Sequence, residues 1–324
     1  MSNAWQLSAF RLAPRLPRSL LFGAARMAGD IVAALPLDVT ARLRFNHERV
    51  AGHSLPSSHV RQAVRLSAQT YAEQFALTHL IDGNLDDMVA VPRMDMLREL
   101  AADGPVVLAL AHAGNWDLAG AWMCRNGLPV LTVAEKLDPP ELFQAFVDLR
   151  EDLGMEIIGV GKKESVFHQL AAQAKGRANL LVPLLADRDI SGRGVDVDFG
   201  GRRALVAAGP AALAQRLDRP LAAAMIYHTT GSHIRIDISD VIDNPGATQS
   251  RTSVETHTQA WVDALVPMIR EHLAHWHMMQ PLFVDDLDPE RLAGPADASR
   301  THSENRNRQP LRMGRAWRRP VPRA

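Results

Sequence analysis

A histidine followed five residues later by an aspartate is the pair in this sequence with the clearest chemical use. His112 and Asp117 lie in the run Ala111-His-Ala-Gly-Asn-Trp-Asp117. A carboxylate that holds one imidazole nitrogen leaves the other nitrogen free to act as a general base. Gly114 allows a sharp turn between the two residues, so we expect Asp117 to reach back to the imidazole. The same spacing would also arise from a histidine bonded at a strand end and an aspartate that caps a helix.

The segments on either side of this pair indicate how it would be positioned. A continuous apolar run at 106–111 is typical of a buried strand, and the pattern at 116–125 predicts a helix. His112 would therefore follow the carboxyl end of a strand, and Asp117 would lie in the first turn of the next helix. The N–H groups at the start of that helix would lie near a developing negative charge.

The alternation of apolar strand and amphipathic helix continues through most of the chain. It predicts an α/β fold in which helices flank both faces of a mostly parallel central sheet, with a helical segment at the N-terminus. In such folds ligands bind at the carboxyl ends of the strands. The last strand, 234–238, alternates like an edge strand. The other strands are predicted at 130–133, 157–160, 180–185 and 221–227, and the other helices at 58–80, 140–153, 165–174, 210–217 and 253–273.

The overall composition excludes several classes of protein. Lys+Arg and Asp+Glu both number 36 in 324 residues, so the chain carries no net charge. That argues against nucleic-acid binding through bulk positive charge. A single cysteine, Cys124, excludes an intramolecular disulfide framework and fits a reducing compartment. No uncharged apolar stretch approaches the roughly 18–20 residues that cross a bilayer, and no signal peptide is evident. The expected class is a soluble or peripherally bound cytoplasmic protein.

Motifs for other catalytic chemistries are missing from the sequence. There is no Gly-x-Ser-x-Gly elbow, and Cys124 is expected to fill space in an apolar helix, so neither a serine nor a cysteine nucleophile is expected. The spacing of His272, His275 and His277 is compatible with a zinc-binding site, but no carboxylate partner accompanies them. Phosphate-loop and dinucleotide fingerprints are also absent. We therefore predict neither a metal nor a cofactor.

The ends of the chain differ in character from its middle. Residues 1–35 combine apolar and aromatic side chains with four arginines and one acid, Asp30. Such a basic amphipathic segment could lie in a membrane interface or pack on the protein's own core. Residues 36–290 would form the α/β domain. Residues 291–324 are rich in arginine, with eight between 296 and 324, and are predicted to be a disordered tail.

Six segments together resemble one enzyme family. The His-x4-Asp pair at a strand end is similar to the signature of glycerolipid-type acyltransferases. The match is closer to the bacterial lauroyl/myristoyl lipid A acyltransferases, and within them to the branch of the phosphatidylinositol mannoside acyltransferases. The segments keep the family's order from about residue 10 to 285, and they are 112–117, 134–136, 146–155, 186–189, 209–211 and 276–282.

This resemblance implies a reaction and a location. A fatty acyl chain, palmitoyl-like, would pass from acyl-coenzyme A or acyl carrier protein to a mannose hydroxyl of a phosphatidylinositol mannoside. Acyl-coenzyme A would be a co-substrate, with no further cofactor. The enzyme would act as a peripheral protein on the anionic cytoplasmic face of the cell (inner) membrane.

The resemblance also implies roles for individual residues. His112 would take the proton from the sugar hydroxyl, and Asp117 would help to set the orientation of the imidazole. Asp187 matches a second acid placed against the histidine, with the neighbouring Asp189 also available. The residues expected to bind substrate are Glu135 and Arg150 in the acceptor pocket and Arg188 near the head group.

Two alternative functions remain open at this point. One is acylation of a lipid A-type acceptor, a Kdo-glucosamine lipid, with acyl carrier protein as the donor. The other is a membrane lipid-binding protein that has kept the fold and lost the catalytic activity. The intact His112 and Asp117 argue against it.

The run Asp198-Phe-Gly-Gly201 departs from the two phenylalanines that many relatives carry before a glycine. A pocket wall is therefore expected to differ there.

Overall fold

The structure is a computed structural model, and it describes residues 16–77, 85–136, 139–161, 166–190, 192, 194–246 and 250–287. The described residues belong to one compact unit that ends at Leu287. The helices are α1 (Arg18–Ala34), α2 (Asp38–Ala51), α3 (Ser57–Phe75), α4 (Leu85–Met88), α5 (Met94–Ala102), α6 (Trp116–Arg125), α7 (Pro140–Asp152), α8 (Phe167–Ala174), α9 (Gly209–Leu217) and α10 (Arg251–Glu271). The strands are β1 (Val89–Ala90), β2 (Val106–Leu110), β3 (Val130–Glu135), β4 (Met155–Val160), β5 (Leu181–Leu185), β6 (Val195–Asp198), β7 (Arg203–Val206), β8 (Leu221–His228) and β9 (Ile234–Ile238).

Seven of these strands form the central sheet, in the order β1-β9-β8-β2-β5-β3-β4. Every neighbouring pair is parallel except β8 and β9, which are antiparallel. The predicted α/β class with a mostly parallel sheet is confirmed. The expectation that β9 is the edge strand was wrong, because the two-residue strand β1, which was not predicted, lies outside it.

Helices cover both faces of this sheet, as the unbroken apolar strands require. In β2, Leu108 and Leu110 point to a core shared with α5 and α6. Val107 and Ala109 point to the opposite core, which α8, α9 and α10 complete. All five residues of β2 are buried, so the strand that leads to His112 is held on both sides.

One pair of neighbouring strands is joined over only part of its length. β2 and β5 pair along all five residues, whereas β5 and β3 pair only at Leu181 and Val130. The N–H of Leu181 donates to the Pro129 carbonyl on the β3 side, 2.9 Å away. Two residues on, the equivalent donor is missing because Pro183 has no N–H. The hydroxyl of Thr132 instead donates to the Pro183 carbonyl at 2.5 Å, and no further residues of these two strands are paired.

The hairpin of β6 and β7 was missed by the sequence analysis. The two strands form a separate antiparallel sheet of four residues each. Gly200 and Gly201 make the turn between them, both with positive φ. The strands are short, and their exposed positions carry charged residues, so the apolar pattern that revealed the other strands is weak here.

The N-terminal helix α1 begins directly after Pro17 and packs along α3. Gly29 lies against the backbone of Arg65, and the Arg65 guanidinium donates to both carboxylate oxygens of Asp30 at 2.5 and 2.7 Å. The opposite side of α1 leaves Leu20, Met27 and Ile31 exposed. One side of the segment therefore packs on the protein, and the other presents apolar side chains. Residues 1–15 and the predicted tail, 291–324, lie outside the described residues.

Within the described ranges, no helix is by itself long and apolar enough to cross a membrane. Ser19–Ala34 and Asp38–Ala51 reach that length and hydropathy only when taken together, and they meet at an angle of 83°.

Candidate active site

His112 and Asp187 meet because they follow two adjacent parallel strands at the same distance. Leu110 of β2 is paired in register with Leu185 of β5. Each reactive residue lies two positions beyond its paired leucine. The Nδ1 of His112 is hydrogen-bonded to Oδ1 of Asp187, and the His112 backbone N–H donates to Oδ2 at 2.9 Å. Asp189, the other acid considered for this position, does not make this contact.

The charge of Asp187 decides which tautomer the imidazole adopts. Burial by itself raises the pKa of this fully buried carboxyl, but the charge and hydrogen bonds of His112 and the Trp276 N–H outweigh it, and the pKa lies below its usual range. An ionised carboxylate only accepts hydrogen bonds, so Nδ1 carries the proton and Nε2 keeps a lone pair. The His112 side chain is 21% exposed, which leaves Nε2 accessible as a base.

The segment after α10 completes the surroundings of this pair. The indole N–H of Trp276 donates to Oδ2 of Asp187 at 2.7 Å, and the N–H of His277 donates to the His112 carbonyl at 2.7 Å. Trp276 itself is fully buried between His47 and Phe199. The sequence analysis considered this segment in the resemblance and as a possible zinc site, and it missed the contact of Trp276 with Asp187.

The buried imidazoles near Trp276 are neutral. Burial is the main cause that lowers the pKa of His47 to about 4, and it lowers the pKa of His275 to about 3. It also holds the pKa of His277 well below its usual value. His47 therefore uses its Nε2–H to donate to the Trp276 carbonyl at 2.7 Å. In the ranges that the structure describes, no group of three or more His, Cys, Asp or Glu residues could hold a metal ion.

The turn between His112 and Asp117 requires glycine at its centre. Gly114 has a φ of +59°, and a Cβ there would lie 2.5 Å from the Ile226 carbonyl oxygen. Asn115 then caps α6, since its Oδ1 accepts from the Leu118 N–H at 3.0 Å. The predicted sharp turn at Gly114 is confirmed.

Asp117 does not reach the imidazole, which corrects the contact expected from the sequence. Its carboxylate accepts two hydrogen bonds from Arg150, Nε at 2.6 Å and a terminal nitrogen at 3.2 Å. The side-chain amide of Gln74 donates a third at 3.0 Å. The observed contact differs from the expected one for two reasons. The Asp117 carboxylate faces Arg150 on α7, and Asp187 is already bonded to Nδ1 of His112. Asp117 therefore anchors Arg150.

Helix α3 supplies a buried carboxylate that sequence reasoning missed. Glu73 is fully buried, and its Oε2 accepts from the Asn115 amide at 3.0 Å and from Nε2 of His228 at 2.8 Å. Gln69 donates to the other oxygen at 2.8 Å. The signal in the sequence was the polar pair Glu73-Gln74 on an otherwise apolar helical pattern. These two residues tie α3 to both ends of the Asn115–Asp117 turn.

A cavity of about 400 Å³ opens beside His112 and is mostly apolar. Its polar end holds His112, Asp117, Glu135, Arg150 and Arg188. Glu135 is the last residue of β3 and is exposed, and the Nε of Arg188 is buried with no hydrogen-bond partner in the described part of the chain. The predicted substrate-binding residues are thus brought together. The cavity continues along the sheet between Leu108, Leu110, Ala119, Gly120, Met123, Val130, Met155, Leu181, Ala224 and Ile236.

Two further expectations concern residues outside this cavity. Phe199, in the run expected to change a pocket wall, is fully buried and stacks on Trp276, and it is not among the cavity residues. The departure at 198–201 therefore affects the support of Asp187 and not the cavity wall. Cys124 is half-buried on α6, and burial raises the pKa of its thiol.

The Arg150–Asp117 pair gives a first prediction. Arg150→Gln should lower the free energy of unfolding by about 3 kcal/mol, because it leaves a buried carboxylate without its charge partner. The two side chains are only 15% and 4% exposed. Urea unfolding would measure the loss.

The matched control is Arg177→Gln, which breaks the bidentate pair of Arg177 and Glu156. These two side chains are 36% and 45% exposed. It should cost less than about 1 kcal/mol. Equal costs would contradict the buried anchor.

Comparison with known proteins shows the family to which this chain belongs. Residues 5–284 match the family model of the bacterial lipid A biosynthesis acyltransferases. The chain is 35% identical over 258 residues to a phosphatidylinositol mannoside acyltransferase of Mycolicibacterium smegmatis, covering 78% of this chain and 82% of that one. It is 33% identical over 234 residues to the protein of the same name in Mycobacterium tuberculosis, covering 72% and 69%. The chain therefore belongs to the bacterial lipid A biosynthesis acyltransferase family and is an acyltransferase.

Proposed function

We propose that this enzyme transfers a palmitoyl-like acyl chain from acyl-coenzyme A to a mannose hydroxyl of a phosphatidylinositol mannoside. The observation that carries the proposal is the His112–Asp187 pair at the polar end of a long apolar cavity. The names of the two relatives support the acceptor. The inactive, lipid-binding alternative loses its support, because the chain belongs to a family of enzymes and keeps an accessible base.

In the proposed reaction, Nε2 of His112 takes the proton from the sugar hydroxyl as its oxygen attacks the thioester carbonyl. Asp187 stabilises the imidazolium that forms. The carbon–sulfur bond then breaks, the acyl group stays on the sugar oxygen, and the departing thiolate takes the proton from Nε2. Asn115 starts α6 next to the base, so the N-terminal dipole of that helix favours the negative charge on the carbonyl oxygen. No cofactor takes part.

The polar end of the cavity suits an acceptor with hydroxyls and a phosphate. In this proposal the carboxylate of Glu135 accepts hydrogen bonds from sugar hydroxyls, and Arg150, held by Asp117, donates to them. Arg188 binds a phosphate of the head group, since its buried Nε has no hydrogen-bond partner in the described ranges. Asp117 acts on the acceptor through Arg150.

The transfer itself is the decisive test. Labelled palmitoyl-coenzyme A is incubated with purified phosphatidylinositol mannoside, and in parallel palmitoyl-acyl carrier protein is offered with a Kdo-glucosamine lipid. Label in the mannoside with the first pair alone is the expected result. Label in the glucosamine lipid alone would favour the lipid A-type reaction. Thioester hydrolysis without transfer to either lipid would contradict both proposed acceptors. It would still support a base-assisted attack on the thioester.

We further propose that the enzyme is a peripheral protein on the anionic cytoplasmic face of the cell membrane, with the exposed side of α1 against the lipid. Leu20, Met27 and Ile31 are spaced by seven and four residues, so they form one stripe along the helix. Arg26 is exposed beside them. Apolar side chains next to an exposed cation are what an anionic interface binds.

Vesicle flotation tests this surface. The triple variant Leu20→Glu, Met27→Glu and Ile31→Glu should stay unbound when wild type floats with vesicles that contain phosphatidylinositol. High salt should weaken wild-type binding, because the electrostatic part is screened. Val241→Glu changes another exposed apolar residue and serves as the control. Flotation of the triple variant equal to that of wild type would contradict the anchor.

A further inference from the structure

One row of side chains across the sheet closes the deep end of the cavity. Val130, Met155 and Leu181 are the first residues of β3, β4 and β5, and register pairing puts Val130 beside the other two. All three are buried and line the cavity. Ala134, near the polar end, is four residues further along β3, which corresponds to about 13 Å at roughly 3.3 Å per residue. The cavity therefore has a defined depth below His112.

Met155 differs from its two neighbours in what lies against it. A Cβ built on Gly120 of α6 would lie 2.5 Å from the Sδ of Met155, so the thioether fills the space that the glycine leaves. The Cγ and Cε of Met155 would be 3.5 Å and 3.7 Å from this Cβ, so the new contact would be with the flexible Met155 side chain. An unbranched methionine side chain can shift between positions where a β-branched valine cannot. The depth of the cavity thus depends on how far Met155 retracts over Gly120.

We propose that Met155 sets the length of acyl chain that the enzyme accepts, and that Gly120 sets how far Met155 retracts. This proposal rests on the proposed function, because it takes the cavity to hold the acyl chain of the donor. Each further methylene that fits the cavity strengthens binding about fourfold. The first methylene that meets Met155 gains nothing unless the thioether moves.

Binding of thioether analogues tests the proposal without any acceptor. S-alkyl-coenzyme A molecules with decyl to octadecyl chains lack the carbonyl and cannot be transferred, so calorimetry measures their affinity alone. Met155→Ala should move the tightest binder to a chain about two methylenes longer. Gly120→Ala should move it to a shorter chain, because the new Cβ pushes the thioether into the cavity. The variant with both changes should behave like Met155→Ala, since the shortened side chain at position 155 no longer meets the new Cβ.

Two matched controls make the same changes elsewhere. Met225→Ala removes a buried methionine from the opposite face of the same sheet. Gly23→Ala adds a Cβ to α1 where nothing lies within 4 Å. Neither control should change the preferred length of the alkyl chain. If Met155→Ala unfolds, Met155→Val replaces it in the test.

The possible outcomes separate this proposal from the proposed function. Unchanged chain preference in both the Met155 and the Gly120 variants, with tight binding retained, would overturn the role of Met155 and leave the reaction standing. Failure of wild type to bind any of the thioethers would overturn acyl-coenzyme A as the donor, and the role of Met155 with it. A longer preferred chain in Met155→Ala and a shorter one in Gly120→Ala would support both the role of Met155 and acyl-coenzyme A as the donor.

Discussion

A His112→Ala enzyme is expected to transfer acyl groups about 10²–10⁴-fold more slowly than wild type, with its fold intact. The substitution removes Nε2, the ring nitrogen that Asp187 leaves with a lone pair. The side chain is partly exposed at the mouth of the cavity, so its loss opens no sealed space in the core. Turnover of palmitoyl-coenzyme A with the mannoside acceptor, measured beside thermal unfolding, checks both statements.

The control for this variant is His168→Ala, which truncates an exposed histidine on α8. Its turnover should equal that of wild type. A His112→Ala protein that is folded and transfers at a rate near that of wild type would show that the base lies elsewhere. Thioether binding by His112→Ala should stay close to the wild-type value, because the apolar part of the cavity is untouched.

Asp187→Asn is expected to lower turnover by about 10³–10⁴-fold while leaving donor binding unchanged. Both the His112 backbone N–H and the Trp276 indole N–H donate to Oδ2, so the amide oxygen of asparagine must take that position. The amide NH₂ then faces Nδ1 of His112 and donates to it. The imidazole must carry its proton on Nε2 instead, and the lone pair required for the reaction is lost.

Asp189→Asn is the matched control, since it makes the same change two residues further along. The comparison also decides which of the two acids considered in the sequence analysis acts on the histidine. We expect a small effect at Asp189 and a large one at Asp187. The reverse order would show that the observed contact with Asp187 is not the one used in the reaction. Calorimetric titration with the thioether analogues shows whether the loss lies in turnover or in binding.

Six of the seven central strands and the helices α6 to α10 could be predicted from the sequence, because buried segments have a recognisable apolar pattern, whereas β1 and α5 were not predicted. β2, β5 and β8 are continuous apolar runs, and α6 begins and ends at the predicted residues. The hairpin of β6 and β7 has no such pattern, since its strands are short and half exposed. Strand order could not be read at all, because it depends on which apolar faces meet after the chain has folded back.

The candidate site was only partly predictable, because it too depends on contacts between segments that are far apart in the sequence. His112 was found from its place at a strand end and Gly114 from the turn it must make. The partner of His112 lies 75 residues away and the Arg150 that holds Asp117 lies 33 away. Asp187 entered through a resemblance and not through spacing. A carboxylate five residues from a histidine is close in sequence, but the register of β2 and β5 decides which carboxylate is close in space.

The gap between β3 and β5 affects the dynamics of the enzyme as well as its shape. Beyond Val130 the β3–β4 pair is joined to the rest of the sheet by a hydroxyl bond from Thr132, where a ladder of amide bonds would otherwise run. Local opening costs least where few backbone hydrogen bonds must break. This seam lies directly beside the cavity and ends near Glu135. We therefore expect the backbone amides along this seam to exchange with solvent faster than those of the β2–β5 pair, which holds the base and its carboxylate together.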